Sequence, residues 1–110
     1  METIVFSVQG SAIEPYKVTF SNNIGKISAS CTCQAAVNGL SCKHRLRILA
    51  GEKKDVVSDN LRSIETLLNW LPGSEIEQAL IAVGEAEKIH DHAKKELEKA
   101  KKRLAKALTL

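Results

Sequence analysis

Apolar and polar residues alternate along the first third of the chain and recur at helical spacing over the rest. Thr3-Ile4-Val5-Phe6-Ser7-Val8 is β-branched and aromatic with partial alternation, which predicts a strand. Gln9-Gly10-Ser11 breaks it and Glu14-Pro15 closes the loop. Tyr16-Lys17-Val18-Thr19-Phe20 alternates strictly, with Tyr16, Val18 and Phe20 on one face of a second strand. Ser21-Asn22-Asn23-Ile24-Gly25 has turn composition, and Lys26 to Cys31 predicts a third strand. From Lys43 to Ala50, Leu46, Leu49 and Ala50 fall at helical spacing, and Gly51 stops the helix.

Beyond residue 54 the period is helical throughout. Ser58 or Asp59 is placed to cap a helix whose stripe is Val57, Leu61, Ile64, Leu68 and Leu71, ended by Pro72-Gly73. Ser74-Glu75-Ile76-Glu77 then reads as a capping box, with the Ser74 hydroxyl on the Glu77 amide and the Glu77 carboxylate reaching back. No Pro follows, so a single helix to the end of the sequence is expected, roughly 54 Å long at ~1.5 Å per residue. Its seam starts at Ile76 and continues through Ala79, Val83, Ala86, His90, Ala93, Leu97, Ala100, Leu104 and Ala107, at alternating steps of three and four. In heptad terms every d position is alanine, which permits close approach of a partner backbone. The preceding helix, of about 13 residues, is long enough to cover only the start of this seam in a hairpin. The open remainder predicts a homo-oligomer, most simply a dimer, or a helical protein partner.

Composition changes this picture mainly in the first half. Hydrophobic content of 44% and charged content of 26% fit a soluble globular protein, but aromatics are only 4%. A unit of roughly 50 residues with so few large groups seldom folds on burial alone and usually needs a staple or a metal. The three cysteines are an odd number, the start Met1-Glu2-Thr3 is acidic, and no apolar run approaches the ~20 residues of a membrane span. Reduced thiols, a cytoplasmic location and no membrane contact are expected. The formal net charge of +3 is too mild to identify a nucleic-acid binder by itself.

All three cysteines and the first histidine lie in one stretch, Cys31-Thr32-Cys33-Gln34-Ala35-Ala36-Val37-Asn38-Gly39-Leu40-Ser41-Cys42-Lys43-His44. The pattern C-x-C, eight residues, C-x-H supplies three thiolates and an imidazole, a complete tetrahedral donor set for Zn²⁺. Extended backbone directs Cys31 and Cys33 to one side. Asn38-Gly39 turns the chain back, and Cys42 and His44 fall where loop becomes helix. The alternative is three buried structural thiols with an unrelated histidine. Four protein donors leave no open position for a substrate water, so the zinc expected here is structural. The predicted architecture is α+β: a small antiparallel β-sheet plus a short helix around a structural zinc in residues 1–54. A helical hairpin with a long coiled-coil-like C-terminal helix follows in residues 55–110.

That ligand pattern, behind strands and ahead of a short helix, resembles the SWIM-type zinc finger. The run from Val8-Gln9-Gly10 through His44-Arg45-Leu46-Arg47-Ile48-Leu49-Ala50-Gly51 is similar to small stand-alone bacterial or phage SWIM proteins. The resemblance implies zinc at Cys31, Cys33, Cys42 and His44, and a module that binds DNA or protein. Lys43, Arg45, Arg47, Lys53 and Lys54 surround the finger helix. They read either as phosphate contacts or as a solvated face offsetting the −1 charge of a Cys3His zinc site. Lys99, Lys101, Lys102, Arg103 and Lys106 form a second basic run, which the helix macrodipole favours in any case. His90 and His92 project about 200° apart and cannot share a metal, and Glu87-x-x-His90 is only half of a di-iron motif. His90 is expected to set coiled-coil register instead. No catalytic triad, paired acid–base carboxylates or phosphate loop appears, so neither an enzyme nor a small-molecule substrate is expected. Two readings of function stand. One is a non-enzymatic zinc module contacting nucleic acid, DNA foremost, and/or protein. The other is a protein-binding adaptor or inhibitor acting through the alanine seam without nucleic acid.

Overall fold

The computed structural model describes residues 1–109. Three strands, β1 (Glu2–Val8), β2 (Tyr16–Asn23) and β3 (Lys26–Cys31), form an antiparallel sheet in the order β1-β2-β3. The alternation read from the sequence fixes its faces: Phe6 lies opposite Val18, Phe20 opposite Ala29, and Val18 opposite Cys31. Phe6, Val8, Val18 and Phe20 are all buried, and the rings of Phe6 and Phe20 meet edge to face at 6.0 Å. This is the apolar floor on which the cysteine stretch is laid.

Four helices follow: α1 (Gln34–Val37), α2 (Lys43–Leu49), α3 (Ser63–Trp70) and α4 (Glu75–Leu108). The sequence reading placed only a turn where α1 stands. A single turn of four residues carries too little periodicity to be seen. Both short helices end in the same device, a glycine in the left-handed region with paired backbone bonds around it. At α1, Gly39 (φ +73°) donates to Ala36 O and Leu40 to Ala35 O. At α2, Gly51 (φ +84°) donates to Ile48 O and Glu52 to Arg47 O. In α2 the buried positions are His44 and Ile48, one turn apart, so the core-facing stripe centres on Ile48 rather than on Leu46, Leu49 and Ala50.

Helix α3 is shorter than the predicted stripe. Val57 and Leu61 are exposed, and α3 begins only at Ser63, with Ile64, Leu67 and Leu71 buried. The reason lies on the open edge of β1. Val57 N–H donates to Ser7 O, Gln9 N–H to Asp55 O, and Ser7 N–H to the Ser58 hydroxyl; Asn60 Nδ2 donates to Val5 O. Residues 55–60 thus satisfy a sheet edge that would otherwise expose unpaired backbone. Ser58 is consumed there and does not cap a helix. Ile64 and Leu67 enter the same core as Phe6 and Phe20.

The chain divides into two compact units, Met1–Glu77 and Gln78–Leu110, where the sequence reading drew the boundary after residue 54. In α4 the Glu77 N–H donates to Ser74 Oγ as the capping box requires. The Glu77 carboxylate instead accepts from Gly73 N–H, because the Ser74 N–H already donates to Leu71 O. Position 110, which the sequence reading placed in this helix, lies outside the described residues. The β2–β3 turn holds Ile24 at φ +52° with its side chain fully exposed, a conformation costly for a β-branched residue.

Candidate metal centre

Four donors converge from three elements. Cys31 is the last residue of β3, Cys33 precedes α1 as its N-cap, Cys42 caps α2, and His44 is the second residue of α2. All four are buried, and their donor atoms lie within 4.8 Å of one another. Cys33 and Cys42 sulfurs are 3.3 Å apart, well beyond a covalent disulfide, and all three cysteines are free thiols. His44 presents Nδ1 to the cluster, 3.7 Å from the Cys42 sulfur and 3.9 Å from that of Cys31.

These distances test whether zinc fits. Tetrahedral zinc with bonds of about 2.3 Å to sulfur and about 2.0 Å to nitrogen sets neighbouring sulfurs about 3.8 Å apart and sulfur and nitrogen about 3.5 Å apart. The Cys33–Cys42 sulfur separation of 3.3 Å is somewhat shorter and the sulfur–nitrogen separations of 3.7 and 3.9 Å are slightly longer, so small side-chain adjustments would close this donor set around one such ion. Its chemistry is closed: with three thiolates and an imidazole bound, zinc here supplies structure.

The thiols are not equivalent. Burial pushes Cys31 up to about 12, reinforced by the neighbouring Cys33 and Cys42 thiols. At Cys33 burial also opposes ionisation. The Ala36 N–H, His44 and the other two cysteines outweigh it and lower the group to about 6. A lowered value means that folding favours the Cys33 thiolate: that contribution is complete above the ordinary 9.0 and is lost as pH falls through about 6. Cys31 works in the opposite sense, its contribution complete below 9.0 and lost as pH rises through about 12. A bound divalent cation reverses the preference at Cys31 by holding its thiolate.

Two residues that the sequence reading treated as strand and loop belong to the site. The Tyr16 ring lies beside His44, centroids 4.9 Å apart and planes tilted by 43°. Gly10 lies against both: a Cβ there would meet the Tyr16 ring at 2.4 Å and His44 Nε2 at 3.3 Å. Gly10 thus leaves room for the Tyr16 ring and for the Nε2 edge of the imidazole whose Nδ1 is turned to the sulfurs. The absence of a side chain at residue 10 was visible in the sequence, but the same glycine is equally expected of a loop.

The basic residues around α2 have unequal roles. Arg45 spends its guanidinium on Ala29 O (3.3 Å) and Leu40 O (3.0 Å), tying α2 to β3 and to the loop before Cys42. Arg47 sits between Glu52 (3.9 Å) and Asp55 (3.7 Å). Lys43, Lys53 and Lys54 are exposed. The seam residues Ala79, Val83, Ala86, His90, Ala93, Leu97, Ala100 and Leu104 are likewise all exposed on α4. His90 and His92 contribute nothing to the cluster, whose histidine is His44.

Among the described residues, no helix is long and apolar enough to cross a membrane. No curated protein matches this chain, and no solved structure does. Residues 16–50 match the family model of the SWIM zinc finger, a segment that contains all four donors together with Tyr16 and both short helices. This segment is therefore similar to the SWIM zinc finger, and zinc is the metal that its Cys3His cluster suits.

Proposed function

We propose that this protein is a non-enzymatic protein-interaction module: a zinc-stabilised domain that presents one face of α4 to a helical partner. The observation that carries this is that α4 runs for 34 residues without a buried position. Val83, Leu97 and Leu104 nevertheless recur on one side of it at heptad spacing, 41%, 55% and 60% exposed. Apolar side chains repeated at that interval are the mark of a helix that packs against another.

A nucleic-acid role draws less support from the finger. Of five basic residues around α2, Arg45 is engaged by backbone carbonyls and Arg47 by two acids. No aromatic is interleaved among the remaining lysines for base stacking. Affinity capture with zinc-loaded wild type and with Leu97→Glu/Leu104→Glu tests the proposal. Partners held through the seam are absent from the variant, and identical captured sets contradict the reading. A parallel titration with a labelled DNA duplex is expected to give no binding at physiological salt. Tight binding that weakens steeply with added salt would move the assignment to nucleic acid.

A further inference from the structure

We infer that the partner of the α4 seam is a second copy of α4, running antiparallel. The inference rests on the interaction role proposed above and adds the identity and direction of the occupant. Charge along the helix is sharply divided. Residues 75–91 carry five acids and one base, whereas residues 92–108 carry seven bases and two acids. Two copies side by side in parallel would set acid on acid and base on base. Reversing one copy lays each acidic half along the partner's basic half.

Side-chain size gives the same direction independently. Every a position from residue 83 onward is larger than alanine, and every d position is alanine. A parallel pair stacks like with like, so layers of two alanines alternate with layers of two large residues and no single axis separation suits both. An antiparallel pair sets a against d in each layer, giving one large and one small residue throughout. With the two-fold centre between Asp91 and His92, the midpoint of α4, Val83 faces the partner's Ala100 and Leu97 faces the partner's Ala86. His90 then faces the partner's Ala93. The helices overlap over their whole length of roughly 51 Å.

This register places Glu87, at an e position, opposite the partner's Lys94, and symmetry makes the pair twice. In a parallel pair Glu87 would instead flank the partner's Ala82. Both residues are exposed. Sedimentation of the zinc-loaded full chain across micromolar concentrations is expected to show a dimer. Glu87→Lys and Lys94→Glu are each expected to weaken it about tenfold, since two exposed pairs turn from attraction to repulsion. The double variant E87K/K94E is expected to return to within about threefold of wild type. Helicity by circular dichroism, unchanged in all three variants, ties any loss to association. A wild-type monomer with α4 intact overturns the second copy as occupant and leaves the capture experiment to judge the interaction role. A dimer without rescue in the double variant overturns the antiparallel arrangement.

Discussion

Residues 1–77 and residues 78–110 solve the problem of stability in opposite ways. The first unit has few large side chains, and it closes them under a cluster of three cysteines and a histidine that is itself buried. The second has no interior at all: among its described residues, nearly every one is exposed. Its helix persists on composition, being rich in Ala, Glu, Lys and Leu, and on length well beyond the ~12–15 residues at which isolated helices become marginal. Metal and core hold the first unit together, whereas α4 leaves a helical face exposed, and the role proposed above assigns recognition to that face.

Cys33→Ser attacks that contrast most strongly. Apparent zinc-binding energies of ~10–16 kcal/mol for small fingers are comparable with the ~5–15 kcal/mol stability of a whole domain. Removing one thiolate, or chelating the metal, is therefore expected to unfold residues 1–77 while α4 keeps its helix. Circular dichroism should lose the sheet and retain the signal of roughly a third of the chain. Loss of all structure together would erase the division between the units. The next test asks where the first unit ends. Leu67 of α3 is fully buried in the sheet's core, so Leu67→Ala is expected to destabilise the metal-loaded unit by about 2–5 kcal/mol in denaturant melts. An effect below ~0.5 kcal/mol would return α3 to the C-terminal extension. The smallest effect is a gain. Ile24→Asn places a residue that tolerates positive φ at a turn tip where the isoleucine touches nothing, and about 1 kcal/mol of added stability is expected. A loss at this position would mean that the exposed isoleucine packs in the native protein.

Much of this was legible in the sequence because the signals were periodic or chemically specific. Strict alternation at Tyr16, Val18 and Phe20 gave the sheet its inner face, and three thiols at C-x-C and C-x-H spacing gave the metal centre. The long helix α4 was readable because an unbroken 3-4 spacing needs no tertiary context. The missing pieces are those set by contacts distant in sequence. Val57 and Leu61 fit a helical stripe, but the unpaired edge of β1 claimed residues 55–60 for backbone pairing, and α3 started later. Arg45 looked like a surface cation, and only the fold brings Ala29 O and Leu40 O within its reach. Gly10 read as a loop residue, and its place beneath Tyr16 and His44 depends on a strand pairing that no local pattern encodes.

The first unit depends on one zinc ion held by Cys31, Cys33, Cys42 and His44. X-ray absorption at the zinc edge, on reduced protein with its metal content measured in the same sample, tests it most directly. One zinc per chain is expected, with three sulfur ligands at about 2.3 Å and one nitrogen at about 2.0 Å. Protein that is folded without stoichiometric zinc, or zinc bound through fewer than three sulfurs, would contradict it.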